Sequence, residues 1–171
     1  DGAKVVVADI QVEKGKGLAA ELGDAALFHE LNVASEEQWA ATIAATVEKW
    51  DKLDIVVHNA AVVTPASAVQ DTTNEEFDLL IDVNIRGIFF GCKLAYPELK
   101  KSKGCIVSIA SMAGVSGQLE HAVYGATKGA VNALTKCMAV DWAPDGIRVN
   151  SICPACVHTE AMERYVVDLP N

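Results

Sequence analysis

Short apolar runs of strand length alternate with helix-length segments along almost the whole chain, and this alternation constrains the fold more than any other feature. Residues 5–10 form an apolar run that closes around Asp9, 12–22 read as a helix stopped by Gly23, and 26–31 read as the next strand. Ser35, followed by Glu36, Glu37 and Gln38, is a helix-start signature, because a serine oxygen there can accept the backbone N–H three residues on. That helix runs to about Trp50. A strand over 54–59, a long helix over 75–99 interrupted only near Gly87 and Gly91, a strand over 104–109, a helix over 122–143 and a strand over 148–152 complete the series. Strands joined through helices pair in parallel, and a parallel sheet is covered on both faces. The order therefore predicts an α/β fold with a doubly wound parallel sheet and helices on both faces. Pro144, Asp145 and Gly146 read as a turn, not a linker, so 1–171 is expected to be a single domain.

Within this frame, Tyr124 and Lys128 stand four apart and Ser111 lies thirteen residues before the tyrosine, in IVSIASMAGVSGQLEHAVYGATKGAV. On a helix, positions i and i+4 share a face. A phenol and an ammonium would then share one site, and the ammonium would favour the phenolate. That lowers the tyrosine from its usual value of about 10 toward the range where it exchanges a proton with a substrate. A serine hydroxyl beside it can polarise a carbonyl. Spacing alone is weak evidence, because Tyr96 and Lys100 repeat it in YPELK. There Pro97 follows the tyrosine and Val83 occupies the position thirteen before it, so that pair reads as a helix end.

With these residues in place, the chain resembles the short-chain dehydrogenase/reductase family over nearly its whole length. LDIVVHNAAV is similar to the family's fourth strand with its Asn-Asn-Ala-Gly block, DVNIRGIFF to its helix asparagine motif, and GIRVNSICPACVHT to the Pro-Gly segment after its sixth strand. The resemblance implies a Rossmann-like fold and an oxidoreductase that interconverts an alcohol and a ketone or aldehyde by hydride transfer. Ser111 would orient the substrate oxygen, Tyr124 would be the general acid/base, Lys128 would lower its pKa and hold the nicotinamide ribose, and Asn84 would hold a proton-relay water. A homodimer or homotetramer through 75–99 and 122–143 is implied as well. The family's first strand, Gly-rich turn and helix have no counterpart, since no Gly-x-x-x-Gly-x-Gly occurs, and its C-terminal helix pair and last strand are also unmatched. The chain thus resembles the central portion of the fold, and these 171 residues alone are expected to bind dinucleotide weakly or not at all.

Asp9 closes the first strand where dinucleotide folds place an acid on the adenosine ribose diol, and a carboxylate there repels a 2′-phosphate. Ile10 and Gln11 follow with no arginine, so NAD is expected in preference to NADP. The family resemblance adds Asn32 and Val33 beside the adenine, Asn59 and Ala60 beside the ribose, and Pro154, Val157 and Thr159 beside the nicotinamide. His58 and Ala61 replace the family's first asparagine and its glycine, and Ala155 replaces another glycine. His58 reads as a satisfied strand histidine, not a base.

A net charge of −9 and a pI near 4.8 oppose nucleic-acid phosphates, and no apolar run approaches membrane-spanning length. Lys100, Lys101 and Lys103 read as a solvated helix end. Five cysteines, with no charged-then-apolar opening segment, fit reduced thiols and a cytoplasmic setting. Two rival readings stand beside the enzyme. One is a scaffold of the same fold that has lost turnover, motivated by His58, Ala61 and Ala155. The other is a thiol-redox or metal protein built on Cys153-Pro154-Ala155-Cys156 with His158, disfavoured because no helix starts at Cys153 and three ligands fall short of a structural zinc site; no metal is expected. Met112, His121 and Met162 are pocket-lining candidates, although residues of this kind more often pack against neighbours.

Overall fold

The computed structural model describes residues 2–159. Five strands and five α-helices alternate as the sequence predicts: β1 (Val5–Asp9), α1 (Val12–Leu22), β2 (Ala26–Glu30), α2 (Glu36–Trp50), β3 (Ile55–His58), α3 (Asn74–Ile81), α4 (Gly87–Ser102), β4 (Cys105–Ile109), α5 (Ala122–Asp141) and β5 (Arg148–Ile152). Local chemistry fixes the ends. Ser35 Oγ accepts the Gln38 N–H at 3.2 Å to open α2. Thr73 and Glu76 form a reciprocal capping box at α3. Asp51 and Lys103, with left-handed φ values of 61° and 53°, close α2 and α4. The predicted turn at 144–146 is one tight helical turn (Ala143–Asp145) ended by Gly146 at φ 76°.

The long helix differs from expectation in one respect. Its interruption is neither Gly87 nor Gly91 but a single π-helical turn, Asp82–Arg86, between α3 and α4. The two glycines are sites of close approach inside continuous helix. A Cβ on Gly87 would lie 2.8 Å from Val33 Cγ2, and one on Gly91 would collide with the rings of His58 and Trp39.

All strand pairing is parallel, in two separate ladders: β1 with β2, and β3–β4–β5 in register from Ile55 through Cys105 to Arg148. The faces follow from alternation. Phe28 packs where a Cβ on Gly15 of α1 would sit, while its neighbour His29 meets Thr42 of α2, with Nδ1 2.8 Å from Oγ1. Adjacent strand residues point to opposite faces, so α1 and α2 cover the two sides of the first sheet. The second sheet is covered on one face only among the described residues. Val56, Ile106 and Val149 pack there with Ile88, Cys92, Leu99 and Val131 of α4 and α5, whereas Ile55 and Val57 are each 57% exposed on the other face. Among the described residues, helices thus lie on both faces of the first ladder and on one face of the second. The two sheets are joined through the helix layer, where α2 meets α4, and the Glu36–Lys93 ion pair at 2.7 Å lies across that contact. No described helix is long and apolar enough to cross a membrane.

Candidate active site

The C-terminal ends of β3 and β4, the first half of α5 and the π turn bring the catalytic candidates together. Tyr124 and Lys128 share a face of α5, and Lys128 Nζ stands 5.8 Å from the centre of the Tyr124 ring. The ammonium is buried and donates to the Ile109 carbonyl at the end of β4, 2.8 Å away. Burial brings Lys128 down from 10.5 to about 8. Ser111 caps the short helical turn after β4, its Oγ accepting the Ala113 N–H at 3.1 Å, and its hydroxyl lies near enough to the Tyr124 phenol to favour the phenolate.

The expected lowering of the phenol is not what this geometry gives. Burial pushes Tyr124 above its ordinary value, while the Ser111 hydrogen bond pulls it the other way. The physical reason is placement. The ammonium lies over the ring and is directed to a backbone carbonyl, so it does not bond the phenolic oxygen. Near neutral pH the phenol keeps its proton and is a ready acid.

Asn84 is fully buried, and the π turn aims it at the loop after β3. Its Oδ1 accepts the Val62 N–H at 2.9 Å, and its Nδ2 donates to the Val62 carbonyl at 2.9 Å and to Thr127 Oγ1 at 3.3 Å. Both amide hydrogens are committed, so the side chain braces the loop beside the site. Thr127, which the sequence reading did not single out, is its partner on α5.

A second cleft opens between the C-terminal ends of β1 and β3. Ala8, Asp9, Val33, His58, Asn59 and Ala60 line it. The position, outside the carboxyl ends of parallel strands, is where α/β folds bind nucleotides. Asp9 Oδ1 accepts the Gln11 N–H at 2.8 Å, which holds the carboxylate at the strand end. Two candidates fall outside this cleft. Ile10 is 66% exposed, and Asn32 commits its Oδ1 to the Ala34 N–H at 3.0 Å. Pro154 lies beside the serine turn, its carbonyl accepting the Met112 N–H at 2.9 Å, whereas Val157 and Thr159 are exposed on the segment beyond.

His58 is the buried strand histidine the sequence suggested. Nε2 lies 3.4 Å from Cys92 Sγ, its ring meets Trp39 edge-on at 5.4 Å, and burial lowers it to about 4. Cys153 follows β5 as loop and donates to Asn132 Oδ1 at 3.3 Å, and Cys156 is exposed. Met112 is 37% exposed, His121 packs edge-on against Tyr124 at 6.2 Å, and Met162 lies outside the described residues.

Against known proteins, the family described as enoyl-(acyl carrier protein) reductase matches residues 1–168. Cyclopentanol dehydrogenase of Comamonas sp. (strain NCIMB 9872) is 38% identical over the whole chain, which spans 69% of that protein. Two solved structures superpose closely. A 3-ketoacyl-(acyl-carrier-protein) reductase from Brucella melitensis complexed with NADH is 31% identical with a TM-score of 0.93, covering 97% of this chain and 71% of that one. ElxO with NADP bound is 32% identical with a TM-score of 0.88, covering 96% of this chain and 68% of that one.

Proposed function

The chain belongs to the short-chain dehydrogenase/reductase family of oxidoreductases, and from that premise we propose that it is the catalytic part of a nicotinamide-dependent enzyme interconverting an alcohol and a ketone or aldehyde. The observation that carries this reading is the half-buried Tyr124 phenol with Ser111 on its oxygen and the Lys128 ammonium over its ring. Solved relatives bind NADP or NADH, and the cleft bordered by Asp9, Asn59 and Ala60 suits a dinucleotide's ribose. A bound nicotinamide would supply or accept the hydride.

The protein's own part is positioning and proton transfer. In the reducing direction Ser111 donates to the substrate oxygen and Tyr124 delivers its proton to that oxygen as charge develops there. In the oxidising direction the same oxygen must act as a base, and the nearby ammonium stabilises the phenolate that forms. Asn84 is a positioning residue, fixing the loop after β3 through both of its bonds to Val62. Asp9 favours NAD, because a 2′-phosphate would meet its carboxylate. Val33, Pro154, Val157 and Thr159 complete the proposed cofactor contacts. The whole chain acts as one domain, with an acidic, cytoplasmic character and no nucleic-acid partner. It pairs as a homodimer or homotetramer through α3–α4 and α5, where Phe77, Leu79, Phe89 and Val140 are exposed.

The test is a panel of alcohols and ketones followed at 340 nm with NAD and NADP. Tyr124→Phe is expected to lower kcat at least a hundredfold while cofactor affinity holds, and NAD to be used at least tenfold better than NADP. Normal turnover by the phenylalanine variant removes the mechanism; equal use of NADP removes the Asp9 argument.

A further inference from the structure

Beside Tyr124 lies a small cleft lined by Thr64, Ser67, Thr72, Glu120 and His121. The protons of two of its hydroxyls, those of Ser67 and Thr72, can be traced. Thr72 Oγ1 donates its single proton to the Ala68 carbonyl at 3.1 Å. Ser67 Oγ lies 2.9 Å from Thr72 Oγ1 and must therefore be the donor of that bond. Neither hydroxyl has a proton left, yet both oxygens keep lone pairs. Glu120 adds a carboxylate, which only accepts. His121, edge-on to the tyrosine, turns its Nδ1 to the Leu119 carbonyl at 2.6 Å.

The backbone holds this set of acceptors against the phenol. Among the described residues Glu120 is one of three non-glycine residues with left-handed φ, and it is the one that does not cap a helix C-terminus. At φ 56° its carbonyl faces the other loop and accepts the Ser67 N–H at 2.9 Å. Strain of this kind persists where the surroundings enforce it and concentrates at functional sites. Here it ties the segment leading into α5 to the loop that bears Ser67 and Thr72.

Resting on the oxidoreductase reading above, we infer that the substrate brings hydrogen-bond donors to this wall: a neutral compound with a hydroxyl near the reacting carbinol, such as a vicinal diol or a sugar. A lone cyclic alcohol leaves the acceptors without a donor, an aliphatic flank buries them dry, and a carboxylate flank meets Glu120 with like charge. A site built to bond a substrate hydroxyl discriminates strongly against the analogue that lacks it.

The experiment compares cyclopentanol with trans-cyclopentane-1,2-diol, with NAD and with NADP, in the unmodified protein and in a Ser67→Ala, Glu120→Gln double variant. The diol is expected to show a kcat/KM at least tenfold higher in the unmodified protein, mainly through KM, and that ratio is expected to fall toward one in the variant. Equal or better use of cyclopentanol by the unmodified protein, with turnover abolished by Tyr124→Phe, overturns the substrate inference and leaves the oxidoreductase reading standing. No turnover of any alcohol or ketone by the full-length protein overturns both.

Discussion

Tyr96 and Lys100 show what a single residue pair can and cannot say. Lys100 Nζ lies 5.8 Å from the Tyr96 ring, the same as Lys128 from Tyr124. The difference is in the surroundings. The Tyr96 hydroxyl donates to Asp145 at 2.6 Å and Lys100 pairs with the same carboxylate at 2.8 Å, so both are tied into a surface contact. Tyr124 has Ser111 instead. Ser111 and the preceding strand were legible in the sequence and set the two pairs apart; the direction of the tyrosine's shift was not, because it depends on where the ammonium points. His58 carries a prediction at this scale. Its pKa falls from 6.5 in the open chain to about 4 in the fold, so protonation opposes folding. Stability is fully present above about pH 6.5 and is lost as pH falls through 4, by roughly 3 kcal/mol for a buried group at about 1.4 kcal/mol per pH unit. Urea denaturation at pH 7.5 and 4.5 is expected to show a smaller acid loss for His58→Asn than for the unmodified protein. An equal loss in both proteins assigns the acid sensitivity to other groups.

The π turn is the feature the sequence concealed at the scale of elements. A periodic apolar pattern places a helix over 75–99 but carries no mark of one inserted residue, since Asp82–Arg86 stays helical on either side. Its product is the inward aim of Asn84. A regular helix would turn a side chain by about 100° per residue, so removing one residue here would swing either α3 or α4 off its packing face. Asn84→Ala keeps the turn and removes only the brace, taking the Asn84 partner from the half-buried N–H and carbonyl of Val62. Denaturation is expected to show a loss of about 2–4 kcal/mol, from roughly 1–3 kcal/mol for each orphaned group. A loss below about 0.5 kcal/mol would mean water replaces the amide. The helix start at Ser35 behaves as its sequence predicts, because capping is decided within four residues, and the capping box at Thr73 follows the same local rule. The acceptor-lined cleft went unread for the opposite reason: Ser67 and Glu120 are 53 positions apart and meet through one backbone bond.

At the scale of the whole molecule, the alternation of strands and helices predicted the parallel pairing, while the division into two ladders is a matter of which edges meet. Strand order follows from contacts far apart in sequence, and no local pattern encodes it. The division has a consequence for ligand geometry. Asp9 belongs to one ladder and Asn59 follows the last strand residue of the other, and no ladder hydrogen bonds run between the two sheets. Between the two ladders α2 and the Val33 loop seat against α4, which the missing side chain of Gly87 permits. Gly87→Ala is accordingly expected to weaken NAD affinity of the full-length protein, measured by fluorescence titration, at least fivefold by displacing Val33, which lines the same cleft; unchanged affinity would show that the cleft keeps its shape by other means. The helix layer is thus a ruler: it gauges the cleft, and a change in helix packing becomes a change in calibration.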